Sequence, residues 1–323
     1  MLLDRRLLVV TGKGGTGKST VAAALALLAA ESGKKTLLVS VDAKEDLAEF
    51  LEIGSLTPKA RKGHDGLWAM ALDPEESLRE YIQLQLRVPL LSRIGPLSRI
   101  FEYVATAAPG VREVVTVGKI LYEVKEHDWD LVVVDGTASG HVIGQLAAPS
   151  AINELVKVGL IRSQTAWMLE LLSDPATTGA VIVATPEEMP VSETIELATR
   201  LRDETPVELA AVVANRVLPE LFGTSEEALF ETLVADSGPE RLAEGASGPD
   251  RLAEAAGGDA TLVIEGARLA VDLRRNRAQH LERLRRELDA DIPLLYVPYL
   301  FTRAHGMRAT RQVMAALAAE LAT

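Results

Sequence analysis

Short apolar runs recur along the chain, each bounded by polar or glycine-containing segments, and between them lie longer stretches with helical patterning. The runs predict strands at Leu7–Thr11, Thr36–Val41, Leu67–Leu72, Leu131–Asp135, Ala180–Thr185, Leu209–Asn215 and Leu294–Pro298. The intervening patterns predict helices at Ser19–Ser32, Asp46–Leu51, Pro74–Val88, Val111–Asp128, Ser192–Glu204, Arg268–Leu288 and Met307–Ala322. Regular alternation of the two predicts an α/β fold: a doubly wound, mostly parallel sheet covered on both faces.

Two stretches interrupt the alternation. Residues 73–130 and 151–175 are mainly helical in pattern and read either as an inserted helical subdomain or as extra cover for the core. Residues 236–260 are rich in Gly, Ala, Ser and Asp and carry a short duplicated motif, Gly238–Glu244 and Gly248–Glu254. Two copies do not make a solenoid, and a flexible insertion is the expectation. The whole, residues 1–323, reads as one nucleotide-binding domain with these additions.

The first strand runs into Gly12-Lys13-Gly14-Gly15-Thr16-Gly17-Lys18-Ser19-Thr20, and an alanine-rich helix follows. Strand, glycine loop and helix together form the phosphate-binding arrangement G-x-x-x-x-G-K-[ST], in which main-chain N–H groups and a helix N-terminus face a polyphosphate. Gly12, Gly14, Gly15 and Gly17 let the backbone come close to the ligand. Lys18 supplies a charge to the β- and γ-phosphates, and the Ser19 hydroxyl is a ligand for Mg²⁺. Lys13 is either a solvated loop lysine or a second charge beside the polyphosphate.

Three later residues fit the same chemistry. Asp42 closes the second strand, and is either a water-polarising or Mg²⁺-water-holding carboxylate or a helix-capping one. Asp135 closes the run Leu131–Val134 and would hold Mg²⁺ through water; Gly136 and Gly140 beside it suit a loop that moves when the γ-phosphate leaves. Asn215, at the end of the sixth predicted strand, is either an adenine-reading amide or a turn asparagine.

Composition narrows the classes. Among 323 residues, 48% are apolar, enough for a sizeable core, and the net charge of −12 argues against general nucleic-acid binding. There is no cysteine, which excludes disulfides, thiolate zinc sites and cysteine-bound metalloids and suits a cytoplasmic location. The longest uninterrupted apolar run, Val21–Ala30, is too short to span a bilayer, so a soluble protein with no transmembrane segment is expected. The basic run of Arg274, Arg275 and Arg277 with Arg283, Arg285 and Arg286 is mixed with Glu282 and Glu287, as on a solvated helix face.

Taken together, these motifs resemble the arsenical-pump and tail-anchored-protein-targeting ATPases, also called anion-transporting ATPases, and especially a bacterial subgroup in which two such ATPases act as a pair. The likeness rests on Gly12–Thr20, on Ser40–Leu47 and Asp135–His141 as the two switch segments, on Thr185–Thr194, and on Val213–Arg216. It implies a P-loop NTPase sheet of the SIMIBI type and Mg²⁺-dependent ATP hydrolysis. It also implies a nucleotide-gated homodimer, or a heterodimer with a paralogous ATPase, that captures and releases a client. By the same resemblance Lys13 reaches the partner's nucleotide, Lys18 holds phosphates and Ser19 binds Mg²⁺. Asp42 activates water, Asp135 is the outer Mg²⁺ acid and Asn215 contacts the base. The chain departs from the family at Ala43 and Glu45 in the first switch and at Gly136 in the second. The altered first switch motivates an alternative, a weakly hydrolysing subunit of a heterodimer. A metalloid-efflux motor is disfavoured by the lack of thiolates.

Overall fold

The computed structural model describes residues 2–41, 46–73, 76–77, 110–155, 158–220, 223, 260–301 and 305–322. Among these, eight strands form one sheet: β1 Leu7–Gly12, β2 Thr36–Ser40, β3 Arg61–Lys62, β4 Leu67–Ala71, β5 Leu131–Ala138, β6 Thr178–Ala184, β7 Leu209–Val217 and β8 Leu294–Pro298. Their order is β3-β4-β2-β5-β1-β6-β7-β8, and every pairing is parallel except the short β3–β4 hairpin at the edge. The doubly wound parallel sheet expected from the alternation is therefore present. The added edge strand, Arg61–Lys62, is exposed and carries no apolar signal.

The helices among the described residues are α1 Lys18–Glu31, α2 Asp46–Phe50, α3 Val111–Glu126, α4 Ser139–Leu155, α5 Leu160–Ser173, α6 Glu188–Glu204, α7 Ala260–Glu287 and α8 Gly306–Leu321. Side chains alternate across the buried strands, so each sheet face has its own core. Leu7, Val9, Leu37, Val39, Val132 and Val134 point to the face covered by α3, α4, α5 and α6. Leu8, Val10, Leu38, Val133, Val181 and Val213 point to the face covered by α1, α2 and α8. α1 is sandwiched between the sheet and α8 and buries nine of its fourteen residues. A helix enclosed in this way has no polar stripe to offer, and alanine lets its neighbours approach closely.

Parts of the two interrupting stretches contribute to the sheet's core: Val117, Ile120 and Leu121 of α3, and Met168 and Leu172 of α5. Residues 78–109 lie outside the described residues, as do most of the predicted Pro74–Val88 helix and nearly all of the 236–260 insertion. α8 buries Met307, Thr310, Val313 and Leu317 against α1 and β8, as core packing requires. The arginines of α7 are spread among ion pairs: Arg274 with Glu220, Arg277 with Glu187 and Arg283 with Glu287. No described helix is long and apolar enough to cross a membrane.

Candidate functional site

Strand order reverses at β1. The chain leaves it for β2 on one side, and later reaches β6, β7 and β8 on the other. In a doubly wound sheet, ligands sit at such a switch point beyond the carboxyl ends of the strands. The Gly12–Thr20 loop occupies that position, with α1 starting at Lys18.

Two of its glycines are required by their surroundings. Gly12 has φ 143°, and a Cβ there would sit 2.2 Å from the Val183 carbonyl oxygen of β6. Gly17 has φ 94°, and a Cβ there would sit 2.3 Å from Asn215 Nδ2. Both conformations lie where side chains are disfavoured, and both positions are already crowded.

Inside the loop, the Lys13 carbonyl gathers donors. It accepts from Thr16 Oγ1 at 2.9 Å and from Lys18 Nζ at 3.2 Å. Lys18 is thus folded back over the loop that carries it. The Lys13 side chain points elsewhere: its ammonium pairs with the Glu193 carboxylate of α6 in the same chain. Each partner is about one-third exposed, at 30% and 33%. An ion pair this accessible is worth roughly 0–1 kcal/mol and is readily exchanged.

Asp135 is paired in register with Val10 of β1 and Ser40 of β2, which sets it at the same edge as the loop. The following segment, expected as a mobile loop, is regular structure instead. β5 continues through Ala138 and α4 begins at Ser139. Thr11 Oγ1 donates to the Thr137 carbonyl at 3.0 Å, and Thr137 Oγ1 donates to Gln145 Oε1 at 3.2 Å, tying strand to helix. Gly136, a departure from the family pattern, has a steric reason: a Cβ there would lie 2.7 Å from the Val10 carbonyl oxygen. Asp42 lies outside the described residues.

Asn215 is buried at the end of β7. Its Nδ2 donates to the Thr16 carbonyl at 2.8 Å, and its Oδ1 accepts from the Arg216 N–H at 2.9 Å. Arg216 has φ 59°, a left-handed conformation that is uncommon for a side-chain-bearing residue. The structure therefore brings Lys13, Lys18, Ser19, Asp135 and Asn215 to one edge of the sheet. It adds Glu193, which sequence reading passed over because its partner is 180 residues away.

Ser19 and Asp135 offer a hydroxyl and a carboxylate, an all-oxygen set that suits a hard cation such as Mg²⁺. Among the described residues, no group of three or more His, Asp or Glu side chains is arranged to hold a metal by itself. A cation relying on phosphate oxygens for its remaining ligands fits that arrangement.

Comparison with known proteins decides the family. The sequence profile of the family described as anion-transporting ATPase matches residues 5–169 and 160–230. The chain belongs to the anion-transporting ATPase family. It is 34% identical over 227 residues to ATPase BagA of Mycobacterium tuberculosis, a match covering 66% of each protein. It is 30% identical over 249 residues to a Halobacterium salinarum protein provisionally named an arsenical pump-driving ATPase, covering 71% of this chain and 38% of that protein. It is 29% identical over 174 residues to ATPase GET3 of Podospora anserina, covering 52% of this chain and 51% of that protein.

Proposed function

We propose that this member of the family hydrolyses ATP with Mg²⁺ and uses the nucleotide to gate association with a second subunit. The observation that carries the proposal is the complete Gly12–Thr20 loop at the sheet's switch point, with Asp135 and Asn215 beside it.

In this reading the loop's N–H groups and the N-terminus of α1 receive the phosphates. Lys18 leaves the Lys13 carbonyl and turns onto the β- and γ-phosphate oxygens, where its charge is worth more than against a carbonyl dipole. Ser19, and Asp135 through water, would hold Mg²⁺, which would supply neutralising charge to the phosphate oxygens. Asp42 accepts the proton of the attacking water.

Lys13 carries the gating. Held by Glu193, it belongs to its own subunit. To reach a partner's nucleotide it must exchange that carboxylate for phosphate oxygens. A triphosphate carries more charge than one carboxylate, and the interface between two subunits excludes water, so the exchange favours the closed pair. The second subunit is another copy of the chain or a paralogue, and closure and opening would capture and release a client. Arsenite or antimonite as client is disfavoured by the chain's lack of thiolates.

Sedimentation velocity tests the proposal. A shift to a dimer with ATP and Mg²⁺, reversed on hydrolysis, is expected, for the chain alone or with its paralogue. A sedimentation coefficient unchanged by nucleotide in both cases would remove the gating.

A further inference from the structure

Asn215 is the residue expected to read a base, yet its amide is already engaged with the phosphate loop. We propose that Asn215 is a positioning residue for that loop, so that it sets affinity for the phosphate chain independently of the base. The inference rests on the triphosphate reading of Gly12–Thr20.

Three features of the geometry point to this role. The Nδ2–Thr16 carbonyl bond, at 2.8 Å, joins residues 199 apart and is buried. Because a trans peptide is planar, its C=O and N–H point in opposite directions. Fixing the Thr16 carbonyl toward β7 therefore directs the Gly17 N–H away from β7. That N–H belongs to the residue before Lys18 and is one of the donors a phosphate loop relies on.

The amide's orientation is also determined. The Arg216 N–H, 2.9 Å away, requires an oxygen on one side, and the Thr16 carbonyl requires an NH₂ on the other. Arg216 adopts φ 59° while making that contact. Last, the amide packs directly over Gly17, whose absent Cβ leaves room for it. Removing the amide leaves the buried Thr16 carbonyl without this donor and opens space beside the loop's final glycine. The residual capacity of the amide, one N–H and one oxygen lone pair, still allows it to contact a base.

The experiment separates the two roles with a ligand that has no base. Dissociation constants for inorganic tripolyphosphate, ATP and CTP, each with Mg²⁺, are measured by displacement of a fluorescent nucleotide. The proteins are wild type, Asn215→Ala and Asn215→Asp. The aspartate keeps the shape and the bond from the Arg216 N–H, but sets an oxygen against the Thr16 carbonyl. Thermal melting checks that each variant is folded.

A positioning role predicts that Asn215→Ala weakens all three ligands by a common factor of about ten, with the ATP-to-CTP ratio preserved, the scale of one lost hydrogen bond to a well-placed carbonyl. Asn215→Asp is expected to weaken them further. Should Asn215→Ala fail to fold, the comparison is made with Asn215→Asp alone. Tripolyphosphate binding within twofold of wild type in a folded variant would overturn the inference, whether or not ATP binding changed. So would a wild type that binds ATP but not millimolar tripolyphosphate. A wild type that binds neither would instead remove the triphosphate reading itself.

Discussion

The two ends of the sheet use the same kinds of residue for opposite purposes. At the amino-terminal edge, charges close the fold. Arg6 donates to the Val124 carbonyl, Lys34 to the Leu3 carbonyl, and Arg5 to the Thr178 carbonyl and Glu208. Glu123, almost fully buried, is held by Lys119 at 3.0 Å and by the Trp129 indole N–H at 3.2 Å. The Lys35 ammonium lies 4.7 Å from the centre of the Trp129 ring, which tilts against Trp68 at 5.4 Å. At the carboxyl-terminal edge the lysines have exchangeable partners: a loop carbonyl for Lys18 and a carboxylate one-third exposed for Lys13. Substitutions at the first edge should cost stability and spare ligand binding. Substitutions of the two lysines at the second should do the reverse.

The largest effect expected is for Lys18→Ala. Turnover of ATP should fall by about 10²–10³-fold or more, the scale of removing one preorganised donor from a transferring group, with the melting temperature unchanged. Equal turnover in the variant would break the contrast at its functional end.

At the other edge, Trp129→Ala deletes a large ring that is 8% exposed and packed on Trp68 and Lys35. Urea denaturation should show a loss of about 3–5 kcal/mol, while the variant's affinity for ATP under native conditions stays at the wild-type value. A change in affinity as large as the change in stability would mean the two edges are not separable.

Within the loop the contrast can be sharpened. Gly12→Ala places a methyl group against β6 and should cost about 1–3 kcal/mol or more. Gly14, whose Cβ would meet nothing within 4 Å, should accept alanine with no measurable loss. The same denaturation series measures both, and matching losses would show that the Gly12 contact is not limiting.

The smallest effect is expected for Glu193→Gln. It weakens an ion pair worth roughly 0–1 kcal/mol, so nucleotide-driven association should occur at concentrations lower by a factor of a few. Weaker association would show instead that Glu193 supports Lys13 in the closed state.

Most of the sheet is legible in the sequence because a buried parallel strand announces itself as an apolar run. Leu131–Val134 and Leu209–Ala214 are read that way, and Leu294–Pro298 agrees at both ends. The Gly12–Thr20 loop is legible because phosphate binding constrains both residue type and spacing. Arg61–Lys62 escapes notice because a two-residue edge strand needs no apolar residue. The segment Asp135–His141 looks like a loop because Gly136 and Ser139-Gly140 suggest breaks. In the structure Gly136 is instead a small residue where β5 crowds the Val10 carbonyl. α6 begins at Glu188, four residues before the predicted start, with Pro190 in its first turn, where a missing N–H costs nothing. The pairings of Lys13 with Glu193 and of Asn215 with Thr16 leave no sequence signal at all, because folding rather than spacing brings them together.

All of these expectations depend on the Gly12–Thr20 loop gripping a nucleotide through Lys18. Calorimetric titration of ATP with Mg²⁺ into the wild-type chain and into Lys18→Ala tests it most directly. Saturable binding by the wild type and at least tenfold weaker binding by the variant are expected. Identical isotherms, or no heat of binding from the wild type with or without its paralogue, would contradict it.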